Sequence, residues 1–382
     1  MVPDVFWIAP NLNHYKARFL NRLGERGNVR LTVLAGREQR DMGHRRLEDT
    51  HSFRCIDVAV TKNWFAFSPA VYWSILRMLR ETHYAVVLMP AEKKHILLIA
   101  FLRLLRLTSA FRLVSYNHPI MKSEHARIRQ RDLWVSRAIF ALYDRVIFYT
   151  VQSRDFALAR RLLPSEKADY ANNTLDTATI WQWYDPEHNF PPEPHILFIG
   201  RLVKSKRLED LLRYCTHIKQ KIPRLKLTII GDGPLRDLVR GAAQVDQNIR
   251  WLGAISDEQV IASVMREVSL VFVPGLSGLS IVHAFAYGKP YVTIKATFHG
   301  PEINYLIPGY NGQILSGDCD SDCDELAAIL LDEQRYLGMS RAAFETANRL
   351  SIEKWTSQME EALLKAAGRK PFPSGSQQDR GP

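Results

Sequence analysis

Short, nearly continuous apolar runs recur along the first half of the chain: "VFWIAP" (5–10), "VRLTVLAG" (29–36), "YAVVLMP" (84–90), "FRLVSYNHP" (111–119) and "RVIFYT" (145–150). Their length and richness in branched and aromatic residues predict buried strands. Helical patterns lie between several of them. In "HYKARFLNRLGER" (14–26), Tyr15, Phe19, Leu20 and Leu23 fall on one helical face. Apolar strands separated by amphipathic helices predict an α/β architecture whose parallel sheet is covered on both faces.

The stretch "WQWYDPEHNFPPEP" (181–194) holds four prolines and interrupts the pattern. The alternation then restarts with "HILFIG" (195–200), "KLTIIG" (226–231), "IRWLGA" (249–254), "LVFVP" (270–274), "YVTI" (291–294) and "GQIL" (312–315). Ser256 to Gln259 reads as a capping box, and Pro234 as a first helical residue. The predicted organisation is a Rossmann-like unit over 1–180, a linker over 181–194 and a second Rossmann-like unit over 195–350. A helix over 351–368 and a polar tail over 369–382 follow. Two doubly wound units place ligands at the carboxyl ends of their strands.

Composition adds little until it is divided. The 382 residues carry a net charge of +11. Residues 1–180 hold 28 Lys and Arg against 16 Asp and Glu, and the remainder 23 against 24. A basic half beside a neutral half suggests an anionic partner for the first half. Two segments in it, "KNWFAFSPAVYWSILRMLR" (62–80) and "KKHILLIAFLRLLRL" (93–107), join apolar faces to Lys and Arg. They fit helices lying on an anionic membrane surface and equally helices packed on the sheet through Trp73, Leu76 and Leu79. No nucleic-acid-binding module is recognisable. The longest apolar run, "ILLIAFL", is far short of the roughly 20 residues of a membrane span. The opening residues lack the basic region of a secretory signal, and four scattered cysteines suit a reducing compartment, so a cytoplasmic location is expected.

Candidate chemistry gathers in the second half. "FIGRLVKSKRLEDLL" (198–212) sets Arg201, Lys204, Lys206 and Arg207 before a helix, where cations oppose the macrodipole unless an anion binds there. "IIGDGP" (229–234) provides a tight glycine turn without the third glycine of a dinucleotide fingerprint. In "PGLSGLSIVHAFAYGKP" (274–290), Gly275 and Gly278 loosen a loop, Leu279 and Ser280 open a helix, and His283 lies in its first turn. The acidic "DCDSDCDE" (318–325) lacks the glycine and terminal glutamate of a calcium loop and reads as a helix start capped by Asp322 or Asp324. No metal site is expected from it.

Taken in order, "FIGRLVKSKRLEDLL", "LTIIGDGPLRDLV", "IRWLGAISDEQV", "LVFVPGLSGLSIVHAFAYGKPYVT" and "PEINYLIPGYNGQIL" resemble the nucleotide-sugar-binding domain of glycosyltransferase family 4, the retaining transferases of GT-B fold. The likeness is strong over about 195–350 and weaker over 1–180. It implies two Rossmann-like domains facing across a cleft, with the last helix, Trp355 included, packed back toward the first. It implies that Arg201 and Lys206 hold the donor diphosphate, and that Gly278, Leu279 and Ser280 cradle phosphate and sugar. Glu302 matches an acidic residue of the family or caps a short helix over 302–307. The family usually carries two glutamates eight positions apart, and here their places are taken by Gly275 and His283. His283 would then contact the nucleotide in place of the second glutamate, or pack in the core.

The family often places a histidine where "SYNHP" puts His118, near the transferred sugar; an Asn-His-Pro turn is the other role open to it. Asn13, His14 and Tyr15, in the loop after the first strand, are acceptor-side candidates. The resemblance thus implies a retaining transferase, and no metal or cofactor is expected if Arg201, Lys206 and helix N-termini neutralise the departing diphosphate. The transferase would use a nucleotide-sugar donor and a glycan or lipid-linked acceptor at the cytoplasmic membrane face. The alternative is a degenerate transferase shell that binds or scaffolds at the membrane.

Overall fold

The computed structural model describes residues 2–10, 12, 14–36, 51–60, 64–119, 128–186, 189–295 and 298–369; of residues 14 and 15 only the backbone is described. The chain divides into two compact units. One comprises 1–122, 129–172 and 353–382, and the other 123–128 and 173–352.

The first unit is built on seven parallel strands: β1 (Asp4–Ala9), β2 (Arg30–Gly36), β3 (Arg54–Val58), β4 (Val86–Leu88), β5 (Arg112–Asn117), β6 (Arg145–Phe148) and β7 (Ala168–Tyr170). They are ordered β3-β2-β1-β4-β5-β6-β7. Five of these strands are the apolar runs read above. β3 and β7 were not expected. Both lie at the edges of the sheet, where one side of the ladder is unpaired and polar residues such as Arg54, Asp57 and Asp169 interrupt the apolar run. The helices of this unit are α1 (His14–Glu25), α2 (Pro69–Glu81), α3 (Ile96–Leu105), α4 (Gln130–Phe140) and α5 (Val151–Ala159). α2 and α3 bury Val71, Ile75 and Met78, and Leu98, Ile99 and Leu102.

The second unit carries α6 (Ala178–Trp181) and six parallel strands: β8 (His195–Ile199), β9 (Lys226–Ile230), β10 (Ile249–Trp251), β11 (Leu270–Phe272), β12 (Tyr291–Ile294) and β13 (Gly312–Leu315). Their order, β10-β9-β8-β11-β12-β13, reverses direction between β8 and β11. That reversal opens a crevice at the carboxyl ends of these two strands, the usual ligand position in such sheets. Its helices are α7 (Leu208–Lys221), α8 (Arg236–Val245), α9 (Glu258–Glu267), α10 (Ser280–Ala286), α11 (Cys319–Leu331) and α12 (Glu333–Arg349). α7 turns Leu208, Leu211, Tyr214, Cys215 and Ile218 inward at helical spacing.

Three local expectations are corrected. The cap of α9 is Asp257, whose carboxylate accepts the Gln259 amide at 2.9 Å, so no Ser256 box forms. Pro234 precedes α8, which starts at Arg236 after Leu235. Asp322 does not cap α11, whose N-cap is Asp318. It is buried in the helix and accepts from the amides of Ser316 and Gly317 and from the Tyr214 hydroxyl, which ties α11 to β13 and α7. A carboxylate with that many donors needs no cation.

The last helix, α13 (Ile352–Ala366), contributes its residues from Glu353 onward to the first unit. Trp355 stacks on Phe19 at 3.7 Å, and its indole N–H donates to the Tyr116 hydroxyl at 2.9 Å. Glu360 accepts from Arg26 at 2.6 Å and from Asn28 at 2.9 Å. Trp355→Phe removes one buried hydrogen bond and part of the ring, and should lower unfolding free energy by about 1–3 kcal/mol. Urea denaturation checks this; an unchanged midpoint would mean that the helix is not held there. The expected tail, from residue 370 onward, lies outside the described residues.

Candidate functional site

The site is assembled from the loops that follow β8, β9, β11 and β12. After β8 the chain passes Gly200 (φ 152°) and Arg201 and forms a 3₁₀ turn over Lys204–Lys206 before α7 begins. β9 ends beside it. A Cβ on Gly231 would lie 1.8 Å from the Gly200 carbonyl oxygen, so glycine is the residue that lets these two strand ends touch. Trp251 Nε1 donates to the Gly231 carbonyl at 2.9 Å and holds the turn from the β10 side.

The 204–206 turn packs directly on the loop after β11. The Leu276 amide donates to the Ser205 carbonyl at 2.7 Å, and Lys206 Nζ donates to the Leu276 carbonyl at 2.5 Å. Gly275 is the contact point: a Cβ there would lie 2.2 Å from the Ser205 oxygen and 2.4 Å from the Lys206 carbonyl carbon. Burial holds the Lys206 ammonium down to about 8, and the charge of Arg201 pushes it the same way. Arg201 forms no ion pair or hydrogen bond through its guanidinium among the described residues. Two adjacent cations without a carboxylate are unfavourable unless an anion joins them.

The loop between Gly275 and Ser280 is supported from below by hydroxyls. Tyr291 Oη donates to Ser277 Oγ at 2.9 Å and lies 2.9 Å from Ser280 Oγ, while Thr293 Oγ1 donates to the Val273 carbonyl at 2.8 Å. Burial pushes the Tyr291 phenol up to about 12, against the opposing pull of the two serines. His299 completes the support. Its Nδ1 accepts the Ser277 amide at 3.3 Å, and its Nε2 lies 3.1 Å from the Ile294 carbonyl, an arrangement that fits the neutral Nε2–H tautomer. Burial lowers the pKa of His299. The Ile294 carbonyl opposes this, and the charge of Lys206 adds to it. With the loop so fixed, the amides of Gly278, Leu279 and Ser280 have no hydrogen-bond partner among the described residues.

Glu302 belongs to a 3₁₀ turn over Pro301–Tyr305, shorter than the helix expected at 302–307 and with no side-chain cap. It is therefore not a cap. It is 5% exposed, accepts from Asn173 Nδ2 at 2.5 Å, and has Oε2 3.6 Å from the Cβ position of Gly278. Burial raises its pKa, which the Asn173 bond partly offsets.

Arg201, Lys206, Gly278, Leu279, Ser280 and Glu302 thus come together around one crevice, whose supports Ser277, Tyr291, Thr293 and His299 sequence reasoning did not single out. His283 stands one turn further along α10. Its Nε2 lies 3.2 Å from both carboxylate oxygens of Glu258, at the start of α9, and Tyr287 Oη donates to the same carboxylate at 2.7 Å. In the first unit, His118 follows β5 and meets the Tyr149 ring edge-on at 5.0 Å. Of the acceptor-side candidates, Asn13 and the side chains of His14 and Tyr15 lie outside the described residues.

Residues 193–332 match the family model described as "Glycosyl transferases group 1". No curated protein matches the chain. Among solved structures, a sucrose-phosphate synthase from Thermosynechococcus elongatus is similar at TM-score 0.69 and 17% identity, covering 95% of this chain and 98% of that one. HepE from Anabaena, solved with UDP-glucose, is similar at TM-score 0.62 and 15% identity, covering 95% and 99%. A glycosyltransferase from Rickettsia africae is similar at TM-score 0.66 and 12% identity, covering 95% and 98%. With its two parallel sheets, the chain has the GT-B fold, and its residues 193–332 are those that match glycosyl transferases group 1.

Proposed function

We propose that this chain is a retaining glycosyltransferase that moves a sugar from a nucleotide-diphosphate sugar to a hydroxyl of a glycan or lipid-linked acceptor. The observation that carries the reading is the uncompensated pair Arg201 and Lys206 at the reversal point of the second sheet. A diphosphate there takes hydrogen bonds from the Arg201 fork and the free amides of 278–280, and charge from Lys206. As the glycosidic oxygen departs, these groups stabilise the negative charge that accumulates on the diphosphate. Glu302, beside the side-chain-free wall of Gly278 and Gly300, suits hydrogen bonding to a sugar hydroxyl.

The protein supplies its own cations, so activity should persist in EDTA, as measured by nucleoside diphosphate release. Uridine sugars are the first donors to test, because HepE was solved with UDP-glucose. Saturating donor should raise the melting temperature, and proton NMR of the product should show retained anomeric configuration. No thermal response to any nucleotide sugar would leave the reading without its substrate. His283→Ala removes one of the groups that hold the Glu258 carboxylate and should weaken donor binding about tenfold or less. Glu302→Gln should keep the fold while cutting turnover about 10- to 100-fold. Loss of stability without loss of turnover in both variants would instead assign them to packing.

The first unit supports an anionic membrane face as a partner. In α2, Trp73 is 66% exposed on a helix that carries Arg77 and Arg80; in α3, Leu97 is 55% and Leu104 63% exposed, on a segment that carries Lys93, Lys94 and Arg103. α2 and α3 therefore pack on the sheet and still present apolar residues outward. Among the described residues no helix is long and apolar enough to cross a membrane. Salt-sensitive flotation with phosphatidylglycerol vesicles, weakened by Trp64→Ser with Trp73→Ser, tests a peripheral cytoplasmic location. A membrane-bound chain that binds no donor would favour the scaffold alternative.

A further inference from the structure

The "GKP" that ends α10 has a second consequence. Gly288, at φ 62°, closes the helix, and the Lys289 amide donates back to the Ala284 carbonyl at 3.0 Å. The lysine side chain then turns inward and is only 5% exposed. It has neither an ion pair nor a hydrogen bond among the described residues, and its ammonium lies over the Tyr184 ring at 6.0 Å, the outer limit of a cation–π interaction. A buried ammonium left this way is costly, so its retention calls for a partner.

Lys289 lines a cavity of about 170 Å³ together with Tyr184, Arg266, Tyr287, Tyr336 and Ser340. Arg266 also lies over the Tyr184 ring, at 5.9 Å, and donates to the Trp183 carbonyl at 2.8 Å. The Tyr336 hydroxyl has no hydrogen-bond partner among the described residues although the residue is buried. Asp185 stands exposed at the rim and pairs with neither cation. The cavity thus presents two positive groups and an unused hydroxyl donor. It lies by the residue that precedes β12, at the amino ends of the strands, whereas Arg201 and Lys206 follow the carboxyl end of β8.

We propose that this cavity is a second anion site, which takes a single phosphoryl group, either inorganic phosphate or a small phosphomonoester, with Lys289 and Arg266 supplying charge and Tyr336 a hydrogen bond. The volume admits one tetrahedral oxyanion and excludes a nucleotide, whose pocket would be several times larger.

The test uses the full chain carrying Arg201→Ala, so that phosphate at the donor crevice does not contribute. Inorganic phosphate and glycerol phosphate are titrated separately at constant ionic strength against chloride, with melting temperature and ³¹P line broadening as readouts. A saturable response to one or both is expected, and the stronger of the two identifies the source. Adding Lys289→Met should weaken it by about tenfold or more. Tyr336→Phe, which leaves the charge in place, should weaken it about three- to tenfold. A response unchanged by both substitutions, or no saturable response in the Arg201→Ala protein, overturns the proposal.

Discussion

Arg201→Ala lowers donor turnover by about 10²- to 10³-fold and leaves the fold intact. The arginine makes no ion pair among the described residues, so its removal breaks no structural contact, and the loss falls on the diphosphate. The same substitution changes the pH profile. Lys206 is held down to about 8 mainly by burial and secondarily by Arg201. A bound diphosphate favours its protonated form, so donor affinity is level below pH 8 and falls as pH rises above it. In Arg201→Ala the second cause is gone and the break moves to higher pH. Stability of the unliganded protein runs the other way. Above pH 8 the native Lys206 has lost a proton that the unfolded chain keeps until about pH 10.4, so stability rises across that window. Isothermal titration of the donor and urea unfolding, each from pH 7 to 9.5, measure the two slopes. Affinity that does not change across pH 8 would remove Lys206 from the diphosphate.

Gly231→Ala destabilises the second unit by more than about 4 kcal/mol. The new methyl would lie 1.8 Å from the Gly200 carbonyl oxygen, at a φ of 147° that side chains rarely adopt. Relief requires β8 and β9 to part where Arg201 is presented. Gly309→Ala provides the comparison. Its φ of 76° is also positive, but nothing lies within 4 Å of the added carbon, and the cost should be about 1 kcal/mol. Equal unfolding midpoints for the two variants would refute the close approach.

Most strands legible from the sequence are buried on both faces, since a run such as "KLTII" has few alternatives, although the edge strands β10 and β13 were also read. β3 and β7 escaped because edge positions tolerate charge, and Arg145 pairs with Asp169 across β6 and β7 at 2.6 Å. Arg201 and Lys206 were legible for the opposite reason, as charge after an apolar strand, whereas Glu302 was legible only through the resemblance. Their supports did not stand out. Tyr291 and Thr293 look like ordinary strand residues, and only the fold shows their hydroxyls rising toward the loop above. Glu258 lies 25 positions from His283, a distance over which no local pattern could have paired them.

Gly275 bears on which residues the loop after β11 can carry. The resemblance sets it where a glutamate usually stands, yet the 204–206 turn occupies the space in which any side chain would begin. A single codon change there produces a collision rather than a carboxylate. A glutamate at 275 therefore requires a rerouted turn, which would displace Lys206. The close packing excludes every side chain at 275 until the turn beneath it moves.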